Sequence, residues 1–220
     1  MLIEFSGLDC AGKSTQIGLL VEYLHKQGYN VKTVWSRGGY TPGITWLKNL
    51  IRGGKGKSPE QMSQAEREAK VNAKPQGGKL LLWLSIVDLI AYWGIVFRIW
   101  SRGRRVLLCD RYLSDTYIDF KLKYPTVPFQ KWLVWKMLMN VYRKPTCSFV
   151  LTITPEESMR RSNLKFEPFP ESQEKREKRL EMYLKEIKNG RWQYVVDCMR
   201  PINDIHHELK SKIDENLGNA

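Results

Sequence analysis

The sequence predicts a single α/β domain in which helices cover both faces of a five-stranded parallel sheet. Three observations support this fold class. Apolar runs of strand length alternate with helical patterns along the chain, which is typical of parallel sheets whose strands are joined by helices. A glycine-rich turn separates the first strand from the first helix. The 220 residues contain no internal repeat and no Ser/Pro-rich linker, so we expect one domain over residues 1–220.

The first part of the chain reads as a strand, a turn and a helix. Leu2 to Ser6 is a short apolar run. The apolar residues that recur at helical spacing before Gly28 are Ile17, Leu20, Val21 and Leu24. Asn30 to Trp35 alternates as a second strand. A short helix is predicted over Thr45 to Arg52, and the polar stretch after it is expected to combine a loop with a helical piece from Ser63 to Ala73.

An apolar segment from Leu80 to Phe97 follows. Its eighteen residues carry one charge, Asp88, and approach the length of a membrane-spanning helix. A charge at the centre of such a span is costly in hydrocarbon, and the middle helix of an α/β domain is often apolar on all sides. We therefore favour a buried core helix over a membrane span.

The remaining elements continue the alternation. Val106 to Asp110 is a buried strand, and helical patterns begin near Asp115 and Phe129. The later predictions are strands over Cys147–Ile153 and Tyr194–Val196, and helices over Pro155–Arg161, over Glu171–Lys188 and from Pro201 onward. The charge-rich helix among these is predicted to be an ordinary exposed amphipathic helix, with one apolar stripe formed by Leu180, Leu184 and Ile187.

Composition narrows the classes of partner and compartment. Lys and Arg number 36 against 23 Asp and Glu, a net charge of +13 that attracts nucleotide phosphates, polyanions or acidic lipid surfaces. The four cysteines form no CxxC pair, so neither a zinc site nor a disulfide framework is indicated. The first residues lack the pattern of an export signal, and we expect a cytoplasmic location.

The strongest motif is the stretch from Gly7 to Thr15, hereafter the phosphate loop, which fits G-x-x-x-x-G-K-[ST] between a predicted strand and a predicted helix. Its glycines allow backbone N–H groups to turn around a phosphate, and the helix N-terminus adds positive potential. Lys13 can reach the β and γ phosphate oxygens, and Ser14 offers a hydroxyl to Mg²⁺. The motif predicts a site for ATP and Mg²⁺. The residues expected to bind ATP are Gly7, Cys10, Ala11, Gly12, Lys13, Ser14 and Thr15.

A second acidic element is predicted at Asp110. The strand before it delivers a carboxylate at its C-terminal end, where open parallel sheets bind ligands. Asp110 can hold Mg²⁺ through water, as the second acidic element of such sites does. The alternative is an Asp that caps the following turn, and the neighbouring phosphate loop favours the metal-binding role.

At these residues the sequence resembles the thymidylate kinases, a family of nucleoside monophosphate kinases. The resemblance covers nearly the whole chain and is carried by Asp9 in the phosphate loop and by Asp110, Arg111 and Tyr112, which match the family's DR[YH] motif. It implies that Asp9 contacts the acceptor sugar hydroxyl and that Arg111 grips the phosphate being attacked. It also implies that Tyr112 closes on the deoxyribose.

The resemblance further implies a mobile lid from about Met159 to Pro170. Some members place an arginine in the phosphate loop, where this chain has Cys10, and members without it carry extra cations in the lid. Those cations here would be Arg160, Arg161 and Lys165. On spacing alone the two arginines fit a solvated helix face, whereas the lid position favours catalysis. The expected catalytic residues are therefore Lys13, Asp110, Arg111, Arg160 and Arg161.

Two segments depart from the family pattern. Members usually read Arg-Glu-Pro-Gly-Gly-Thr after the second strand, whereas Ser36 to Pro42 keeps Arg37 and the glycines without the Glu-Pro step. Arg37 is expected to meet the acceptor phosphate, the alternative being a basic loop residue. Where the family's middle helix places an arginine on thymine, this chain has Leu89, which cannot donate that hydrogen bond.

The sequence thus predicts phosphoryl transfer from ATP to a nucleoside monophosphate, with dTMP converted to dTDP as the first choice. The alternative is a non-nucleotide acceptor such as a sugar or a lipid-linked glycan. A nucleic-acid-binding ATPase is less favoured, because no DNA- or RNA-binding motif is present. The predicted partners are ATP and a phosphorylated small-molecule acceptor, with no specific nucleic acid. Peripheral membrane contact and a homodimer stay open.

Overall fold

Five parallel strands form the sheet at the centre of the computed structural model, which describes residues 1–35, 78–100, 105–165 and 171–217. The strands are β1 (Leu2–Gly7), β2 (Asn30–Trp35), β3 (Arg105–Asp110), β4 (Cys147–Thr152) and β5 (Tyr194–Asp197). Their order across the sheet is β2-β3-β1-β4-β5, and each neighbouring pair is parallel. This architecture confirms the predicted fold class and is consistent with a P-loop kinase fold.

The register of the sheet brings two functional segments to the same edge. Phe5 of β1 pairs with Asp110 at the end of β3, and Gly7 pairs with Leu151 of β4. Because the strands run in one direction, the phosphate loop after β1 and the carboxylate of Asp110 both lie at the carboxyl edge of the sheet. This is the edge at which open parallel sheets bind ligands.

In the described part of the chain, helices connect the strands and a last helix follows β5. They are α1 (Lys13–Lys26), α2 (Gly78–Trp100), α3 (Leu113–Lys123), α4 (Leu133–Val141), α5 (Pro155–Leu164), α6 (Gln173–Lys188) and α7 (Ile202–Leu217). A 3₁₀ turn, Phe129–Lys131, precedes α4. Pro201 lies one residue before α7, and its carbonyl accepts the N–H of Ile205 at 3.2 Å. Arg37 and the helices predicted over Thr45–Arg52 and Ser63–Ala73 lie outside the described residues.

Two apolar clusters fill the space between the sheet and the helices. The first joins β1 to α1 and α7 through Phe5, Leu20 and Leu209. The second joins β3 to α2 through Leu107 and Leu89. Each fully buried aliphatic or aromatic side chain contributes about 1.5–3 kcal/mol, so these clusters supply the main stabilisation of the fold.

Helix α2 contains the apolar segment singled out in the sequence, and a π-helical turn, Tyr92–Val96, interrupts it. An ideal α-helix would rotate its buried face by about 60° over the fifteen residues from Leu82 to Phe97. The wider π turn compensates for this rotation of the buried face. As a result, Leu82, Leu89 and Phe97 are all fully buried or nearly so. One face of the helix therefore belongs to the core.

The opposite face of α2 is apolar and exposed. Leu80 is 68% exposed and Ile95 is 60% exposed, and Ile99 lies on the same outer side. By length and composition, α2 is the one helix among the described residues that could cross a membrane.

Candidate active site

A cavity of about 200 Å³ opens at the carboxyl edge of the sheet. Its lining residues are Asp9, Cys10, Gly12, Lys13, Ser14, Trp35, Asp110, Arg111 and Lys165. The structure thus brings together the phosphate loop and the Asp-Arg pair that the sequence singled out. A larger cavity of about 420 Å³ is lined by residues of α3, of α4 and α6, and of the segments that follow these last two helices, and by none of the predicted site residues. We therefore take the smaller cavity as the candidate site.

The backbone of the phosphate loop requires glycine at its first position. Gly7 has φ +137°, and a Cβ there would lie 2.3 Å from the carbonyl oxygen of Leu151 on the neighbouring strand. Gly12, with φ +90°, turns the chain into α1. Cys10 also has a positive φ, 61°, which is uncommon for a residue other than glycine and is typical of functional loops. The loop therefore owes its shape to three residues in the left-handed region.

Lys13, near the end of the phosphate loop, is buried. Its Nζ donates to the carbonyl oxygens of Gly7 and Leu8 at 2.9 and 2.7 Å. Burial, followed by the neighbouring charge of Arg111, lowers the pKa of Lys13 to about 8. The ammonium group is thus held in the cavity by acceptors that a phosphate can replace.

Asp110 has the features of a metal-binding carboxylate. Its Oδ1 is buried and finds no hydrogen-bond partner among the described residues. Burial raises the pKa of Asp110, against the opposing charges of Lys13 and Arg111. A hard cation such as Mg²⁺ prefers carboxylate and hydroxyl oxygens, and Ser14 lines the same cavity. The residues present therefore fit a Mg²⁺ that is held partly by substrate phosphates.

The described residues contain no cluster of three or more His, Cys, Asp or Glu side chains able to hold a metal ion by themselves. Magnesium at phosphate sites commonly keeps several waters and uses one or two protein ligands. A site built from Asp110, Ser14 and phosphate oxygens is consistent with that chemistry.

Arg111 is held between two carboxylates. Its Nη2 contacts Asp9, and its Nη1 donates to Asp115 at 2.9 Å. Although burial opposes the charge, these carboxylates raise the pKa of Arg111 well above its usual value. The backbone of Arg111 has φ +71°, a second non-glycine residue in the left-handed region. The guanidinium is thus a fixed positive charge at the wall of the cavity.

Tyr112 and Leu89 lie in the second apolar cluster and do not line the cavity. The Tyr112 ring stacks on Phe97 with centroids 5.4 Å apart, and its hydroxyl accepts the Arg143 N–H at 3.4 Å. Leu89 is fully buried. The structure therefore places neither side chain against the cavity in which the sequence predicts an acceptor.

The predicted lid arginines point elsewhere in this conformation. Arg160 and Arg161 both pair with Glu157, at 2.7 and 2.6 Å, and Arg161 also donates to the Cys198 carbonyl at 3.0 Å. The Arg160 side chain is 63% exposed. Of the three predicted lid cations, only Lys165 lines the cavity.

Helix α6 corrects one expectation from the sequence. Its buried residues are Arg176, Arg179, Tyr183 and Glu186. Leu184, assigned to the buried stripe, is 48% exposed. The predicted stripe is confirmed at Leu180 and Ile187, which pack against the first apolar cluster, and was wrong at Leu184. The buried face of α6 also holds an ion pair, because Arg179 pairs with Asp119 at 2.5 Å.

Sequence reasoning missed the residues that brace the phosphate loop from behind. Ser158 of α5 donates to the Asp9 carbonyl at 2.7 Å, and Arg176 of α6 donates to Ser158. Asp115 and Tyr183 were missed as well. A signal was present, since Arg176 and Tyr183 are seven residues apart, a spacing that places two side chains on one helix face.

Comparisons with known proteins agree with the motifs. No family model matches the chain. A probable thymidylate kinase of Methanosphaera stadtmanae is 26% identical over 215 residues, which cover 97% of both proteins. A thymidylate kinase of Thermoanaerobacter sp. (strain X514) is 27% identical over 212 residues, 94% of both chains. One from Bartonella henselae is 27% identical over 165 residues, 75% of this chain and 68% of its own.

These similarities extend over most of the chain and support the thymidylate kinase family.

Proposed function

We propose that this protein transfers the γ-phosphoryl group of ATP to a nucleoside monophosphate and that dTMP is its acceptor, giving dTDP and ADP. The observation that carries the proposal is the cavity in which Lys13, Asp110 and the Asp9–Arg111 pair converge at the carboxyl edge of the sheet. Relatives named thymidylate kinase support the same choice. We further propose that residues 1–220 act as one domain.

The donor half of the site is the phosphate loop. Its backbone N–H groups and the N-terminus of α1 would hold the ATP phosphates, and Lys13 would exchange the carbonyls of Gly7 and Leu8 for phosphate oxygens. Mg²⁺, when bound by Asp110 and Ser14, supplies charge neutralisation between the phosphates.

The acceptor half of the site is Asp9 and Arg111. Transfer to a phosphate monoester brings two anions together, so the protein must position them and neutralise their charge. Arg111 offers a buried guanidinium for the acceptor phosphate, and Asp9 offers a carboxylate for a sugar hydroxyl. Arg37, Arg160, Arg161 and Lys165 would add charge when ligands are bound.

An ADP-release assay across acceptors tests the proposal. The panel contains dTMP, dUMP, the other nucleoside monophosphates, and free and phosphorylated sugars. We expect the highest kcat/KM with dTMP. Faster turnover of a sugar would contradict the nucleotide acceptor.

The same assay tests the donor site through Lys13→Ala, with Lys26→Ala at the exposed end of α1 as the matched control. Removing a charge donor to the transition state costs roughly 10²- to 10³-fold in kcat, and we expect that loss for Lys13→Ala alone. Wild-type kcat in a folded Lys13→Ala protein would contradict the assigned ATP site.

A further inference from the structure

The guanidinium of Arg111 has two unlike partners. Asp9 lines the cavity, and its side chain is 26% exposed. Asp115 lies behind Arg111, on the first turn of α3, and is fully buried. One carboxylate therefore faces the space where substrate would bind, and the other faces the protein interior.

The inner carboxylate is held by three donors. Ser6 Oγ of β1 donates to Asp115 at 2.5 Å, Arg111 Nη1 donates at 2.9 Å, and the Tyr183 hydroxyl of α6 donates to the oxygen that Arg111 uses. Arg111 and Tyr183 are 2% and 1% exposed, so no bulk water competes for these bonds. A buried charge-assisted network of this kind fixes side-chain geometry more strongly than an exposed pair does.

We propose that Asp115 is a positioning residue for the reaction: it anchors Arg111 from behind, so that the outer edge of the guanidinium keeps one orientation toward the acceptor phosphate. The proposal rests on the proposed function, because it assumes that Arg111 meets that phosphate. Asp9 is the outer partner and can give way to an anion, whereas Asp115 stays bound. Arg111 then keeps a counter-charge in both states, and its positive φ is maintained by the network.

Helix α3 provides a matched control for a merely structural role. Asp119 lies one turn after Asp115, is also buried, and pairs with Arg179 of α6 at 2.5 Å; its charge acts less on Arg111 than that of Asp9 or Asp115 does. Asp115→Asn and Asp119→Asn therefore each weaken one buried Arg–Asp pair that involves α3: Asp115 pairs with Arg111 just before α3, and Asp119 pairs with Arg179 of α6. The first of these substitutions weakens the direct ion pair with Arg111.

The experiment measures kcat, KM for dTMP, KM for ATP and thermal midpoint for both variants and for the wild type. We expect Asp115→Asn to lower kcat/KM for dTMP on the order of 10- to 100-fold, with KM for ATP nearly unchanged, since misplaced supporting groups cost about that much. Asp119→Asn should lower the thermal midpoint without this selective loss. Equal kinetic effects of the two variants, or no loss in Asp115→Asn, would overturn the proposal.

Two further variants keep the test decisive. If Asp115→Asn does not fold, Tyr183→Phe removes one donor from Asp115 and should shift dTMP kinetics in the same direction, by a smaller factor; an unchanged kcat/KM would overturn the proposal. Arg111→Lys separates the two levels of inference. If Arg111→Lys loses dTMP turnover and Asp115→Asn does not, the positioning role alone fails. If Arg111→Lys keeps full activity, both the proposed contact of Arg111 with the acceptor phosphate and the positioning role of Asp115 are wrong.

Discussion

At the residue scale, Glu4 is a buried carboxyl in the strand that leads into the phosphate loop. It lies in β1, whose six residues are all buried, and its Oε1 accepts the Ser114 N–H at 3.3 Å. Burial and then the charge of Asp115 raise the pKa of Glu4 to about 7. The charge of Glu4 in turn contributes to the raised pKa values of Cys109, Tyr112 and Tyr142, after their burial. The residue is therefore close to its titration point at neutral pH.

Stability should fall with rising pH because of this carboxyl. Glu4 binds its proton more tightly in the folded state, pKa about 7, than at the ordinary value of 4.5, so its contribution is lost as pH rises through 7. We expect Glu4→Gln to remove on the order of 1–3 kcal/mol of the wild-type difference in unfolding free energy between pH 5 and pH 8. Urea unfolding at both pH values measures this difference in unfolding free energy. Glu22→Gln, on the exposed face of α1, is the control. An unchanged pH dependence in Glu4→Gln would contradict the assignment.

The lid cations give a second test at this scale. Arg160 and Arg161 pair with Glu157 in this conformation, so they can contribute only after these pairs rearrange. Arg160→Ala and Arg161→Ala should therefore lower kcat more than they raise KM for ATP, in at least one variant by roughly 10²-fold. Lys165 already lines the cavity, and Lys165→Ala should also raise KM for ATP. Steady-state kinetics decide, and an effect on KM alone in both arginine variants would rule out the lid.

At the element scale, the contact between α2 and α4 depends on a glycine. A Cβ on Gly94, in the π turn of α2, would lie 2.9 Å from Cγ1 of Val141. The side chain of valine is stiff at χ1, so it cannot turn away at little cost. Close approach of the two helices therefore requires glycine at this position.

Gly94→Ala tests this contact through a double-mutant cycle with Val141→Ala. Overpacking should cost about 1–3 kcal/mol in the wild-type background, more than the ~1 kcal/mol that alanine gains over glycine in a helix. In the Val141→Ala background the clash is absent, and Gly94→Ala should be neutral or stabilising. Urea unfolding of the four proteins gives the coupling, and equal effects in both backgrounds would refute the contact.

The sequence predicted best the elements that have a single hydrophobic pattern along their length and a turn residue at their end. The apolar runs before Gly7 and Asp110 could be assigned because short buried strands end at the turn residues that follow them. The phosphate loop could be predicted from its G-x-x-x-x-G-K-[ST] motif between a strand and a helix. The extent of helix α6 could also be predicted, but its buried face could not. Pattern analysis treats Arg176 and Arg179 as exposed, and their burial depends on partners in other segments, Ser158 and Asp119.

At the scale of the whole molecule, a large positive charge accompanies an apolar helix face. The net charge is +13, and Lys79 and Arg98 are exposed near the two ends of α2. The outer face of α2 between them is apolar, whereas its inner face is part of the core. The inner face cannot leave the core without the loss of several kcal/mol of apolar burial.

The protein should therefore remain in the supernatant after high-speed centrifugation without detergent. Binding to vesicles that contain anionic lipid, if it occurs, should be reversed by salt, as expected for a basic face. Flotation assays at low and high salt measure this. Recovery only from detergent-extracted membranes would contradict the core position of α2.

The order of the strands has a consequence for synthesis on the ribosome. The central strand β1 leaves the exit tunnel first, yet Leu2 pairs with Leu107 and Ile3 pairs with Cys147. At roughly 5–20 residues per second, translation takes on the order of 5–20 s to deliver the first of these neighbours. A nascent chain must therefore carry a complete but unpaired apolar strand for that interval, and it is then a natural client for chaperones that shield such segments.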